Sequence, residues 1–94
     1  MSLLSETDLA DALQKLPGWT REENAICRHY VFSTFMKAIA FIDAIAPLAE
    51  AADHHPDLRN VYNRVTVCLS THDAGGITQK DIDLARRIED VRSQ

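Results

Sequence analysis

The sequence has little of what would mark several large classes of protein. Its 94 residues include only two cysteines, three glycines, three prolines and one tryptophan. Cys27 and Cys68 lie far apart with no CxxC spacing, so reduced, packed thiols in a cytosolic protein are expected. Positive charge is also scarce. Ten Lys and Arg stand against fourteen Asp and Glu, for a formal net charge of −4. Only Arg86 and Arg87 are adjacent, and a solvated helix face accounts for them. The clustered cations that bind a phosphate backbone are missing, which argues against a nucleic-acid partner. No apolar run approaches the roughly 20 residues needed to cross a bilayer. The N-terminus lacks the basic and apolar blocks of a signal peptide. A cytoplasmic protein with no membrane partner is expected. With no repeat, linker or low-complexity stretch, residues 1–94 read as a single domain.

What is present is amphipathic pattern. In "SETDLADALQKLPGW", Ser5 stands three residues before Asp8 as a capping-box-like start. Leu9, Ala12, Leu13 and Leu16 then share a helical face, and Pro17-Gly18 ends it. "WTREENAICRHYVF" reads as two strands around a Glu23-Asn24 turn. "STFMKAIAFIDAIAPLAEAADHH" predicts a long helix with a stripe at Phe35, Ala38, Ile39, Ile42, Ala46 and Ala49, bent at Pro47. "LRNVYNRVTVCLSTH" predicts a hairpin turning at Asn63-Arg64, with Val65, Val67 and Leu69 facing a core. "ITQKDIDLARRIEDV" predicts a last helix, with Thr78 and Asp81 in capping positions and Leu84, Ala85, Ile88 and Val91 inward. The order α-β-β-α-β-β-α favours an α+β fold, a four-stranded antiparallel sheet with three helices packed on one face. Exposed edges in so small a sheet invite a second copy, so a homodimer or homotetramer is expected.

Chemistry-bearing residues concentrate around "EAADHHP", residues 50–56. Half of the four histidines sit there, beside Glu50 and Asp53, with Pro56 disfavouring helical geometry at His55. Glu50 and His54, four apart, share a helix face and can touch. His72 ends the second hairpin's last strand, before a Gly-containing loop. If the hairpin folds back beside the long helix, three imidazoles meet in one cleft and can supply a general base, a general acid and an orienting donor near neutral pH. Tyr62 and Asp81 complete the constellation, Asp81 also being a helix cap. Each residue has a plainer reading: His54 a helix C-terminal cation, His55 a turn residue, His72 a solvated strand end, Tyr62 a packing residue. Trp19 reads as a core plug or as an aromatic wall for a flat heterocycle, and His29 as a surface strand residue. No HxH, HxxxH or HExxH spacing is present, so no metal is expected. Neither cysteine has a sequence-local base, and Ser70 has no Gly-flanked elbow, so no nucleophile is expected either.

Taken together, "EAADHHP", Tyr62 in "RNVYNRV", His72 in "LSTHDAGG" and Asp81 in "TQKDIDLA", with the early "LPGW" and the Phe32–Phe41 stretch, resemble the pterin-4a-carbinolamine dehydratase family over nearly the whole chain. The resemblance implies dehydration of 4a-hydroxytetrahydropterin, such as 4a-hydroxytetrahydrobiopterin, to quinonoid dihydropterin in the recycling of tetrahydrobiopterin for aromatic amino acid hydroxylases. It implies a hydro-lyase with a pterin substrate and no cofactor. His54 and His72 are the implied acid/base pair, with His55 orienting. Asp53–His55 and Ser70–Asp73, including Thr71, would contact the pterin, Trp19 bordering it. Glu50, Pro56 and Asp81 would orient imidazoles or fix helix ends. The same histidines would serve a related dehydration in molybdopterin metabolism. A third reading is an interaction module, since animal relatives also act as dimerisation cofactors of a homeodomain transcription factor.

Overall fold

The computed structural model describes residues 2–92. Helix α1 spans Glu6–Gln14, strands β1 and β2 Trp19–Glu22 and Ala25–Val31, helix α2 Phe35–Ala52, strands β3 and β4 Asp57–Val61 and Arg64–Leu69, and helix α3 Gln79–Arg92. One antiparallel sheet has the order β1-β2-β4-β3, so the two hairpins join along β2 and β4. This is the α+β order read from the sequence. The caps behave as their residue types dictate. Ser5 Oγ accepts from the Asp8 amide at 3.1 Å, and Thr34 Oγ1 accepts from that of Lys37 at 3.1 Å.

Alternation along β4 buries Val65, Val67 and Leu69 and turns Thr66 and Cys68 to the other face. The buried side of the sheet meets Leu9 and Leu16 from the α1 region, Phe41 and Ile45 of α2, and Ile82, Leu84 and Ile88 of α3. The helices therefore cover one face only. The other carries His29, which bonds Glu22 at 3.0 Å and Thr66 at 3.1 Å as a surface strand residue.

Three local expectations need correction. The buried stripe of α2 is Ala38, Phe41, Ile45 and Ala49, while Phe35 and Ala46 are exposed. The helix is apolar nearly all round, so two stripes fit its periodicity, and packing on the sheet selects one. Pro47 lies inside α2, which spans Phe35–Ala52 as one long helix, in line with the sequence. The second hairpin turns at Tyr62-Asn63, because Val61 pairs with Arg64; Tyr62 takes the positive φ of 51°. Asn63 instead ties the turn to β2, donating from Nδ2 to the Phe32 carbonyl at 2.8 Å. Finally, Cys27 and Cys68 form a disulfide. The β2–β4 register sets them directly opposite, with Cα atoms 4.1 Å apart, although they are distant in sequence.

The "LPGW" corner has a packing reason. Gly18 has φ 90°, and a Cβ there would lie 2.0 Å from an Arg28 guanidinium nitrogen. Arg28 reaches past it to Glu89 Oε1 at 3.2 Å, which also accepts from Trp19 Nε1 at 2.8 Å and from the Tyr30 hydroxyl at 2.6 Å. One carboxylate on α3 thus gathers the first hairpin. Burial, and then the Glu89 hydrogen bond and charge, push the Tyr30 phenol well above its ordinary range. A phenol held neutral by the fold contributes stability that is complete below its unfolded pKa of about 10 and is lost as pH rises beyond it. Urea unfolding should therefore show stability falling above about pH 10, less steeply in Tyr30→Phe; parallel profiles would contradict this role.

Candidate active site

The site begins where α2 stops. Asp53 adopts the left-handed conformation, φ 49° and ψ 44°, and its amide returns to the Ala49 and Glu50 carbonyls. The His54 amide donates to the Ala49 carbonyl at 3.0 Å, completing a Schellman-type ending. Aspartate is one of the few residues besides glycine that visit this conformation routinely. Both histidines consequently lie beyond the helix. The expected Glu50–His54 contact is replaced by two separate pairs: His55 Nε2 meets Glu50 Oε1 at 2.5 Å, and His54 Nε2 meets Asp81 Oδ1 at 2.5 Å. Pro56 follows at once and leads into β3.

The second arm leaves the end of β4. The Thr71 amide donates to the Gly76 carbonyl at 2.7 Å, closing a short loop that contains a 3₁₀ turn, His72–Ala74, and a left-handed Gly75 at φ 75°. His72 therefore stands on this turn and not on the strand. Its ring has no hydrogen-bond partner among the described residues.

Asp81 joins the two arms. It is fully buried, in the first turn of α3. Its Oδ2 accepts from the Thr78 amide at 2.8 Å and from the Thr71 hydroxyl at 3.0 Å, and the Thr71 and Thr78 hydroxyls are 2.7 Å apart. With Oδ2 taking two donors, the side chain acts as an acceptor, and Oδ1 faces His54 in the same role. His54 therefore donates from Nε2 and keeps Nδ1 free of protein partners among the described residues. The His54 side chain is 11% exposed, whereas that of His55 is 56% exposed.

The arms enclose a cleft of about 250 Å³. One wall is Asp53, His54 and His55, and the other is Ser70, Thr71, His72 and Asp73. Two segments distant in sequence thus bring together every residue expected to contact a ligand except Trp19. That indole is 3% exposed, bonded to Glu89, and absent from the cleft lining, so its place is the core plug. Tyr62 stands at the opposite end of β4 and is likewise outside the cleft. Lys80 lines the cleft and was not anticipated. Its signal was its place next to Asp81, which fixes the first turn of α3 against the histidine corner.

A sequence model described as pterin 4 alpha carbinolamine dehydratase matches residues 2–91. The chain belongs to that family. Among its relatives, a Thermomicrobium roseum protein with a provisional pterin-4-alpha-carbinolamine dehydratase name is 48% identical over 93 residues, which is 99% of this chain and 100% of the relative. The crystal structure of a transcriptional coactivator/pterin dehydratase from Brucella melitensis superposes with a TM-score of 0.91 at 40% identity, covering 95% of this chain and 97% of that one. A pterin dehydratase-like protein identified as a RuBisCO assembly factor in the alpha-carboxysome shares the fold, with a TM-score of 0.64 at 19% identity over 78% of this chain and 84% of that one.

Within the family fold, the His54–Asp81 pair is the contact on which the cleft's geometry depends. Asp81→Asn puts an amide donor among hydrogen-bond donors. It is expected to cost about 3 kcal/mol of unfolding free energy, which lowers the melting temperature by roughly 12–24 °C in a domain this size. A melting temperature equal to that of the wild type would show that Asp81 does not hold these segments together.

Proposed function

We propose that this chain dehydrates a 4a-hydroxytetrahydropterin to the quinonoid dihydropterin by histidine general acid/base catalysis, as one step in recycling a tetrahydropterin cofactor. The observation that carries the reading is the meeting of His54, His55 and His72 on one cleft in a member of the pterin carbinolamine dehydratase family.

The reaction needs two proton transfers and nothing else. The C4a–O bond breaks with its electron pair on oxygen, which takes a proton and departs as water. The N5 proton is removed, and the pair left behind forms the N5–C4a double bond. Electrons balance without an oxidant, and imidazoles near neutral pH suit both transfers. In this reading His54 is the base. Asp81 behind Nε2 stabilises the imidazolium that forms when Nδ1 takes a proton, the same logic by which a buried aspartate supports a catalytic histidine elsewhere. His72, whose ring has no hydrogen-bond partner among the described residues, protonates the departing hydroxyl. His55, held by Glu50, orients the pterin, with Asp53, Ser70, Thr71 and Asp73 supplying polar contacts around it.

The test compares rates, because the carbinolamine also loses water unaided. Freshly generated 4a-carbinolamine should decay faster with protein than without. His54→Ala and His72→Ala should each lower the catalysed rate by roughly 10² or more. His72 is exposed and without a protein partner, so its variant should fold normally even where loss of the Asp81 partner destabilises His54→Ala. Undiminished turnover in His72→Ala would remove the acid/base assignment.

A further inference from the structure

A second depression, of about 210 Å³, lies between the last turn of α2 and the first turns of α3. Ala51, Ala52 and the nearly buried Leu84 supply its apolar lining. His54 and Lys80 line both this groove and the histidine cleft, so the two meet across those side chains. Small-ligand sites usually enclose about 300–1,000 Å³. Each depression alone falls short of that range, and together they enter it.

Its charge is unusual for an acidic chain. Lys80 and Arg87, seven positions apart on α3, lie on one helix face about 10 Å apart along the axis. Among the described residues neither cation has an ion-pair or hydrogen-bond partner for its side chain. The acid between them, Asp83, is engaged along its own helix. Its Oδ1 accepts from Gln79 Nε2 at 2.9 Å and lies 3.9 Å from Arg86 Nη1. Two long cations with no ion-pair partner among the described residues, against one carboxylate, therefore line a partly apolar groove that adjoins the histidine cleft.

We propose that this groove receives the substituent on the pterin ring, and that the substituent this chain selects carries an anion, a phosphate or a carboxylate, placed between Lys80 and Arg87. The inference rests on the dehydratase reading and refines its substrate class. The bicyclic ring occupies the histidine cleft, and the charged arm passes His54 into the groove. Arg87 lines the groove alone, so it serves selectivity and not the proton transfers.

Two measurements test it. In the first, kcat/KM is compared for 4a-hydroxytetrahydropterins whose C6 substituents end in a hydroxyl, a phosphate monoester or a carboxylate. The wild type should favour one of the anionic substrates, and Arg87→Gln should reduce that preference about tenfold, through KM and not kcat, with the wild-type preference shrinking as salt is raised. The phosphate and carboxylate arms identify which anion is preferred. Equal use of neutral and anionic substrates, or a preference untouched by Arg87→Gln, would overturn the proposal. In the second, dissociation constants are measured for the stable 7,8-dihydropterins bearing hydroxymethyl, phosphoryloxymethyl and carboxyl groups at C6. If no carbinolamine is turned over, the dehydratase reading fails. Tighter binding of the phosphorylated or the carboxylated ligand, lost in Arg87→Gln, would still support the groove, and indifference among the three ligands would defeat it.

Discussion

A buried carboxylate sets the shape of this protein's reactive face. Asp81 has no exposed surface, and an isolated charge there would cost several kcal/mol. Its two oxygens are met by the Thr78 amide, the Thr71 hydroxyl and His54 Nε2. Those donors come from the start of α3, the end of β4 and the corner after α2. Satisfying one carboxylate therefore forces three segments to meet, and the cleft is the space left between them. Hydrogen bonds to a charged group are worth about 1.5–3 kcal/mol each, enough together to offset the burial.

The second acid near the histidines works on a different scale. Glu50 and His55 are both largely exposed, and a surface ion pair contributes about 0–1 kcal/mol. Glu50 can bias the direction of the His55 ring, but it cannot position the cleft. Adjacent histidines thus differ in role because the backbone reverses hand at Asp53, sending one ring inward to a buried partner and the other outward to a solvated one. The groove behind His54 follows from the same arrangement, since anchoring α3 at Asp81 carries Lys80 and Arg87 to the end of α2.

Much of this was legible in residue order. The α-β-β-α-β-β-α sequence of elements, the inward face of β4 and the caps at Ser5 and Thr78–Asp81 follow from periodicity, turn chemistry and motif spacing, whereas the approach of His72 to the adjacent histidines was conditional on the hairpin folding back beside α2. What escaped was decided by tertiary contact. Periodicity could not choose between the faces of an apolar helix, so Phe35 and Ala46 were placed inside and Phe41 and Ile45 were missed. The i,i+4 rule joined Glu50 to His54 because it presumes that the helix continues, whereas a left-handed aspartate ended it one residue earlier. The Cys27–Cys68 bond depends on sheet register, which local sequence does not carry. Trp19 had two reasonable roles, and Glu89, far along the chain, supplies the partner that puts it in the core.

The most direct test of the account is the protonation of the His54 ring, read from two-bond 1H–15N correlation spectra of the 15N-labelled protein with and without a 7,8-dihydropterin. The account predicts that Nε2 carries a proton shared with Asp81 in the free protein, and that added pterin shifts the Nδ1 resonance of His54 together with the ring nitrogens of His72. A His54 protonated only at Nδ1, with the His72 signals unmoved by the pterin, would contradict it.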